Sequence, residues 1–408
     1  MSDHAHHHHA HPVSKPVPLK RKLVNLSLSF LLVLFSPLLV GLLSENSIGS
    51  VREYYQAQNQ ITSETEILRG RIIREDIRDN ENGGFSQTLT VRSTEGETVE
   101  ITNEFFDQLT TPELDEGDQI YYYESSFNAG GEVFYVFIDV YRLDRLFYTI
   151  IFFVAFILLL TGIKGLNAFL GLIFTTIVIF NYLLPEVLIG NSILWATFLA
   201  ALLIAGFSMF ISHGFNRATA IAVLGTLATI GITMMVAVFV EGQMRFTGLT
   251  SHELTHIQAI ETLRNTSLDL RGLFLASIIL GTLGVLDDVT VSQSYIVREL
   301  QHAHHHNEIT RWQIFRQAMG IGQEHIISLV NTLVLAYFAT SIPFVIQYVI
   351  FGSGDVFISL NSEVISGEIV RTIIGSTSLF LAIPLTTLLA VYADKLPGFK
   401  VKIPPVKH

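Results

Sequence analysis

Eight long apolar segments dominate the pattern of hydrophobic and polar positions along this chain of 408 residues. Most of them come close to the roughly 20 residues that an α-helix needs to cross about 30 Å of hydrocarbon. One segment lies near the N-terminus, and the other seven follow residue 144. The pattern predicts an α-helical polytopic membrane protein with about eight spans, at Val24–Leu43, Leu146–Thr161, Leu166–Ile189, Ile193–Ile211, Ala218–Val240, Gly272–Val291, Ile326–Phe351 and Ile369–Ala393.

Between the first two spans, the pattern changes to short runs rich in β-branched and aromatic residues, with partial alternation of apolar and polar positions. Clusters of Gly, Asn, Asp and Glu separate these runs and indicate turns. Five strands with such turns favour a small antiparallel barrel of the OB type. The predicted strands are Ile67–Glu75, Ser86–Arg92, Thr98–Asn103, Gln119–Glu124 and Val133–Tyr141.

These patterns divide the chain into five parts. Residues 1–23 form a His-rich, basic tail, and residues 24–43 form the first transmembrane helix. Residues 44–143 form the β domain, residues 144–393 form a seven-helix transmembrane domain, and residues 394–408 form a basic tail.

The low share of charged residues agrees with a membrane protein. Asp, Glu, Lys and Arg make up 15% of the chain, whereas soluble domains average about a quarter. The net charge of −11 is unevenly distributed, because residues 44–143 hold 20 acids and 7 Arg, while the remainder holds 16 acids and 18 bases. A domain with a net charge of −13 argues against nucleic-acid binding. The absence of Cys excludes disulfides and thiolate metal sites.

The distribution of Lys and Arg predicts the orientation, because cytoplasmic flanks of membrane spans carry an excess of both. Thirteen such residues flank the spans on the side of the N-terminus, against five on the opposite side. We therefore expect both termini in the cytoplasm and an extracytoplasmic β domain. The first span is long and has no Ala-x-Ala site before Glu45, so we expect an anchor rather than a cleaved signal peptide.

Two adjacent carboxylates, Asp287 and Asp288, lie inside the sixth predicted span and are followed by Thr290, Ser292 and Gln293. An ionised side chain at the bilayer centre costs roughly 2.5–3.5 kcal/mol, so acids within spans usually have a function. Neighbouring carboxyl groups in apolar surroundings retain protons more readily than exposed ones. This pair is therefore the leading candidate for a cation or proton site.

A polar stripe marks the seventh span. Glu324, Ser328, Asn331 and Thr332 have the spacing of one helical face, and His325 adjoins Glu324. If the sixth and seventh spans are antiparallel neighbours, this stripe faces the two aspartates, and the groups can bind a cation or relay protons. The predicted pathway residues are Asp287, Asp288, Glu324, His325 and Asn331.

The same polar residues also have simpler interpretations. Asp288 and Glu324 can cap helix ends at the membrane interface. Glu368 and Arg371 of the eighth span, at i and i+3, have the spacing of an interfacial salt bridge.

Several motifs in the predicted spans match the pattern of a known family. They are Gly-Val-Leu-Asp-Asp-Val-Thr-Val-Ser-Gln at 284–293, Gly-Gln-Glu-His-Ile-Ile-Ser-Leu-Val-Asn-Thr-Leu-Val-Leu-Ala-Tyr at 322–337, Asn-Ser-Glu at 361–363, Glu-Ile-Val-Arg-Thr at 368–372 and Pro-Leu-Thr-Thr at 384–387. With these motifs the chain resembles the YibE/F family of bacterial multi-pass membrane proteins, from about Glu64 to Ala393. The family commonly has Asp-His where this chain has Glu324-His325. The resemblance implies eight spans with an extracytoplasmic β domain in the bacterial cytoplasmic membrane, and it implies no particular substrate.

Two His-rich tracts on the predicted cytoplasmic side are candidates for a divalent transition metal ion, because imidazole is a common ligand of such ions. The alternative for the first tract is a purification tag or an untargeted tail. The His residues concerned are His4, His6, His7, His8 and His9 in the N-terminal tail and His302, His304, His305 and His306 after the sixth span.

A short motif matches the H-E-x-x-H pattern of zinc proteases, in which His252 and His256 would bind zinc and Glu253 would act as the base. The motif lies in a polar segment between the fifth and sixth spans. Intramembrane zinc proteases instead place this helix within the bilayer and use a distant Asp as third ligand, and Asp287 lies toward the opposite side. A membrane metalloprotease is therefore the less favoured alternative.

Taken together, these features favour a transporter or permease with an acidic intramembrane site for a cation or protons, and no enzymatic activity. The main alternative is a membrane accessory or scaffold protein without catalysis. The expected partners are the lipid bilayer, an unidentified solute or ion, and a second copy of the chain or another membrane protein. The absence of a P-loop or a dinucleotide-binding motif argues against a nucleotide-driven machine.

Overall fold

The computed structural model places the chain in two compact units. One unit is Tyr55–Leu159, and the other is Met1–Tyr54 together with Leu160–His408. The residues that the structure describes are 19–41, 67–79, 85–105, 114–126, 133–248, 269–303, 310–351 and 355–393.

Long apolar helices make up most of the described residues. Within those ranges, every helix but the short α8 is long and apolar enough to cross a membrane, which gives eight candidate spans and confirms the predicted number. The helices are α1 (Leu19–Gly41), α2 (Leu143–Thr161), α3 (Ile163–Val178, continuing through a π-helical turn at Ile179–Leu183 into Leu184–Ile189), α4 (Ile193–Leu203, continuing through a π-helical turn at Ile204–Ser208 into Met209–His213), α5 (Arg217–Met244), α6 (Leu270–Ala303), α7 (Arg311–Phe351), α8 (Val356–Asn361) and α9 (Glu363–Tyr392).

Two helices extend well beyond the predicted apolar segments. α6 continues past Val291 to Ala303, and α7 begins at Arg311 instead of Ile326. Both extensions are polar, and helical backbone hydrogen bonds form without regard to side-chain hydrophobicity, so the helices continue where the apolar pattern stops. As a consequence, Asp287 lies near the middle of α6 rather than toward its end.

The β strands are confirmed at all five predicted places. They close into a barrel in the order β1-β2-β3-β5-β4, with β4 pairing again with β1. The expected antiparallel pairing is wrong at one seam, because β3 and β5 pair in parallel at Ile101 and Tyr135. A closed ring with an odd number of strands cannot alternate in direction throughout, so one neighbouring pair must be parallel. The strands are β1 (Ile67–Asp79), β2 (Phe85–Ser93), β3 (Thr98–Phe105), β4 (Gln119–Ser126) and β5 (Val133–Val140).

Alternate side chains of the strands fill the barrel interior, as the period of a β-strand requires. Ile72, Leu89 and Val91 are fully buried there. A side chain at Gly70 of β1 would overlap the Val91 side chain and approach the Tyr122 ring at 3.0 Å. Glycine therefore fits this interior position, and a larger residue does not.

The second helix, α2, belongs to the same unit as the barrel and begins three residues after β5 ends. The Tyr141 hydroxyl donates to Asp144 Oδ1 at 2.8 Å, and Arg145 Nη2 donates to Asp118 Oδ1 at 3.4 Å. These contacts link the first turn of α2 to the barrel. No side chain of α2 is buried, so its apolar surface is available to hydrocarbon.

In the other unit, α5, α6, α7 and α9 pack into one group, and α1, α3 and α4 form a second group that contacts it. Within the first group, α9 contacts each of the other three helices. One large apolar core extends across both groups and includes Phe174, Ile230 and Leu286. This arrangement places α9 at the centre of its group.

Glycines allow the closest helix contacts in this unit. A Cβ at Gly225 of α5 would overlap the Thr386 hydroxyl of α9. A Cβ at Gly322 of α7 would lie 2.7 Å from Gln293 Oε1 and 2.8 Å from Ile383 Cδ1. Small residues let helix backbones approach closely within membranes, where packing contributes more to association than it does in water.

We expect Gly225→Ala to destabilise the helical unit by about 1–3 kcal/mol, because the new methyl group overpacks the contact between α5 and α9. The measurement is thermal unfolding of the purified protein in detergent. Gly231→Ala on the same helix is the matched control, since nothing lies within 4 Å of its Cβ position. That control should be neutral or slightly stabilising. Equal stability of the two variants would contradict the tight contact.

Candidate functional site

A chain of buried polar side chains lies where α5, α6, α7 and α9 meet. Helix α6 contributes Asp287 near its middle, followed by Thr290 and Gln293 one and two turns later. Except for the partly buried Asp287, these side chains are almost completely buried. We call this set the buried polar chain, and it consists of Thr226, Asp287, Thr290, Gln293, Thr386 and Thr387.

Threonine hydroxyls join α5 to α6. Thr226 Oγ1 and Thr290 Oγ1 are 2.8 Å apart, and either can be the donor. Thr290 Oγ1 also lies 3.4 Å from the Asp287 backbone oxygen, and Thr226 Oγ1 lies 3.9 Å from Met209 Sδ of α4. Because a hydroxyl both donates and accepts, this pair can reverse its direction without losing its hydrogen bond.

Gln293 joins three helices. Its Nε2 donates to Thr387 Oγ1 of α9 at 2.7 Å and to the Ala318 backbone oxygen of α7 at 3.0 Å. The amide is buried, and two of its hydrogen bonds go to different neighbouring helices. It therefore fixes the relative positions of α6, α7 and α9 at this depth.

Two buried side-chain atoms of the buried polar chain, Asp287 Oδ1 and Thr386 Oγ1, have no hydrogen-bond partner among the described residues. A buried polar atom without a partner costs about 1–3 kcal/mol, and more for a charged group. A proton on the carboxyl group, or a bound cation, lowers this cost for Asp287. The surroundings of Asp287 thus favour exchange of a proton or a cation.

A cavity of about 360 Å³ lies between α7 and α9, nearer the start of α9. Its polar lining is Tyr337, Thr340, Glu368 and Arg371, and its apolar lining includes Leu333. Glu368 and Arg371 form the expected ion pair, and their side chains are only 16% exposed. Arg371 also lies over the Phe274 ring of α6, with its guanidinium carbon 5.4 Å from the ring centroid. The pair is therefore packed among helices and is more than a solvated surface contact.

A few polar or small positions lie between this cavity and the buried polar chain. Thr282 Oγ1 of α6 lies 3.7 Å from the Cβ position of Gly375 on α9, and the Tyr337 ring lies 4.0 Å from it. Arg371 and Thr387 are 16 residues apart on α9, which corresponds to about 24 Å along the helix. Polar positions thus occur over most of the roughly 30 Å thickness of a hydrocarbon core.

The remaining predicted pathway residues lie elsewhere. Asp288 is exposed. Glu324, His325 and Asn331 are also exposed, along one face of α7, whereas Ile326 on the packed face is buried. The polar stripe is therefore not in the contact between α6 and α7, where Gly322 lies against Gln293 and Tyr337 lies against Gly281.

No group of three or more His, Asp or Glu side chains suited to a metal ion occurs within the described ranges. His302 lies exposed near the end of α6. The other predicted His ligands and the H-E-x-x-H motif fall outside the described residues, and these assignments stay predictions. They are His4, His6, His7, His8, His9, His304, His305 and His306, with His252, Glu253 and His256 for the motif.

Sequence reasoning missed Thr226, Thr282 and Tyr337. A signal for the first was present, because Thr226, Thr229 and Thr233 follow one face of α5 at helical spacing. Their partners on α6 and α9 could not be identified from spacing alone. Thr229 and Thr233 donate to backbone oxygens within α5, whereas Thr226 bonds across to α6.

One comparison with known proteins gives a match. The family model described as YibE/F-like protein matches residues 149–395, which is more than half of the chain. The match covers α3 to α9 and most of α2, and it does not extend back to Glu64, where the sequence resemblance was expected to begin. No curated protein and no solved structure matches the chain significantly.

We expect Gln293→Met to lower the stability of the helical unit by about 1 kcal/mol, because two buried hydrogen bonds to α7 and α9 are lost while the volume is kept. Thermal unfolding in detergent measures the change. Gln317→Met on the exposed side of α7 is the control and should have little effect. Equal effects of the two substitutions would show that Gln293 does not hold the helices together.

Proposed function

The chain belongs to the YibE/F-like protein family, and we propose that it is a transporter or permease that moves protons or a cation across the membrane. The observation that carries the proposal is the Asp287 carboxyl group, which lies in mid-helix with a buried, unpartnered oxygen. One helical turn later on α6, the Thr290 hydroxyl pairs with the Thr226 hydroxyl of α5. Ionisable groups at such positions are costly and mark ion or proton pathways.

Asp287 supplies the group that binds and releases the transported ion. Removing its charge by protonation, or compensating it with a cation, relieves the cost of the unpaired oxygen. The hydroxyls of Thr226 and Thr290 supply the next acceptors, and the unpartnered hydroxyl of Thr386 supplies a further one. A hard cation prefers such oxygen ligands, and a proton can pass along hydroxyl groups.

The cavity beside Arg371 and Tyr337 forms the entrance on the side where α9 begins. Between this cavity and Thr386, the apolar residues Leu379 and Ile383 of α9 are almost fully buried. Closed apolar packing between two polar regions acts as a gate, because an ion does not enter a dry segment. Movement of α7 against α9 would open this gate.

The proposed orientation follows the Lys and Arg distribution of the sequence. With both termini in the cytoplasm, α6 and α9 run from the outside inward. The cavity at Arg371 then faces the outside, Gln293 lies toward the cytoplasm, and the barrel is extracytoplasmic. The membrane is the bacterial cytoplasmic membrane.

An accessory or scaffold protein is the second candidate function. The exposed polar stripe of α7 favours it, because Glu324, His325 and Asn331 would be unfavourable against lipid and favourable against another membrane protein. In that case Asp287 would have no role in transport, and a partner would co-purify in a fixed ratio.

We expect Asp287→Asn to reduce flux to the level of protein-free vesicles, because the amide cannot exchange a proton or balance a cation. The assay uses the full chain in proteoliposomes. Proton flux is followed with a trapped pH-sensitive dye under an imposed pH gradient, and cation flux with Mg²⁺, Mn²⁺ and Zn²⁺ added in turn.

Asp288→Asn is the matched control, since it removes the adjacent but exposed carboxylate from the same helix. We expect that variant to retain most of the wild-type flux. Equal flux in wild type and Asp287→Asn would rule out the Asp287 pathway. Equal loss in both variants would indicate a general effect of charge on α6 instead of a specific site.

A further inference from the structure

A basic pocket lies on the otherwise acidic barrel. The pocket has a volume of about 300 Å³, and Arg69, Arg71 and Arg92 line it. These are three of the seven Arg residues in a segment that holds 20 acids. The rest of the lining is Gly70, Ile73, Ser93, Thr94 and Gln119. The lining therefore offers many hydrogen-bond donors and no carboxylate.

The strand register forces two of these positive charges together. Arg71 of β1 is directly opposite Arg92 of β2, and on its other side it is opposite Gln119 of β4. Opposed residues on neighbouring strands have Cβ atoms about 4.5–5.5 Å apart, and like charges placed there destabilise a sheet. The barrel keeps this pair of like positive charges, although most of the charged residues in its segment are acids.

Other arginines near the pocket have acidic partners. Arg142 Nη1 donates to Asp139 Oδ1 at 2.7 Å, which lowers the pKa of the Asp139 carboxyl group below its ordinary value. Arg145 pairs with Asp118. Within the part of the chain that the structure describes, no carboxylate forms such a pair with the arginines of the pocket. A bound anion would balance the charges of Arg71 and Arg92.

The pocket lies at the end of the barrel from which α2 begins. The guanidinium carbon of Arg69 is 4.8 Å from the Tyr141 ring centroid, and the backbone N–H of Tyr141 donates to Gln119 at 2.7 Å. Tyr141 precedes the start of α2 by two residues. The first turn of α2 carries Asp144 and Arg145, and its apolar stretch starts at Leu146. We therefore infer that the pocket lies near the depth of the lipid headgroups.

We propose that the pocket formed by Arg69, Arg71 and Arg92 binds the phosphate group of an anionic membrane lipid. Guanidinium groups bind phosphate oxygens in a forked geometry, and basic residues next to a span attract anionic lipids. A nucleic acid is excluded as the ligand, because the acids elsewhere on the barrel repel an extended polyanion. The inference is independent of ion transport by the helices.

The test is native mass spectrometry of the full chain in detergent, titrated with phosphatidylglycerol or with phosphatidylcholine. We expect the wild type to bind one phosphatidylglycerol more tightly than any phosphatidylcholine. The double variant Arg71→Gln/Arg92→Gln should bind that lipid about tenfold more weakly, because two charge-assisted contacts are lost. In lipid-free detergent the same variant should be at least as stable as the wild type, because the repulsion is relieved.

Arg74→Gln is the matched control, since Arg74 is an exposed arginine of β1 that does not line the pocket. It should bind phosphatidylglycerol like the wild type. If the double variant does not fold, Arg92→Gln alone is measured, with a smaller loss expected.

Three outcomes would overturn the proposal. One is unchanged affinity of the pocket variant for phosphatidylglycerol, and another is an equal loss in Arg74→Gln, which would indicate total charge instead of a site. The third is displacement of the lipid by inorganic phosphate at equal concentration, which would assign the pocket to a free anion.

Discussion

Every polar group inside the hydrocarbon needs a hydrogen-bond partner from the protein, and the rest of this structure depends on that constraint. Backbone groups meet it by forming helices, since no water is available to pair with them. Most hydroxyls meet it within their own helix, as Thr229 does with Gly225 and Thr282 does with Ile278. Thr226 and Thr290 instead bond to each other, and Asp287 Oδ1 has no partner among the described residues. This departure from the general solution makes the region around Asp287 the strongest candidate for function.

Close helix packing creates that region. Glycines at 225 and 322 let α5 approach α9 and let α7 approach α6. The approach places Thr386 and Thr387 at the same depth as Thr290 and Gln293, although they lie about 95 residues apart in the chain. The polar site and the tightest packing are therefore one feature. The same residues that stabilise the bundle also supply the oxygen and amide groups of the proposed pathway.

The barrel has a different electrostatic organisation from the helices. Its acids are spread over the surface, while three arginines gather where the barrel meets α2. The family match begins at residue 149 and leaves the barrel outside. The family relationship thus concerns the membrane-spanning part. On the barrel, the candidate binding surface is formed by opposed arginines and not by the more numerous acids.

The sequence alone determined the eight spans and the five strands and singled out Asp287 as a candidate, because apolar length, alternation and a charge within an apolar run are local properties. Only the tertiary structure decided which side of each element is used. The polar spacing of α7 predicted a face toward α6, but Gly322 lies against α6 there and Glu324 is exposed. The pairing of Thr226 with Thr290 and the opposition of Arg71 and Arg92 likewise depend on helix rotation and strand register. Helix rotation and strand register are set by contacts between segments that are distant in the chain. The spacing of residues within one segment therefore cannot predict them.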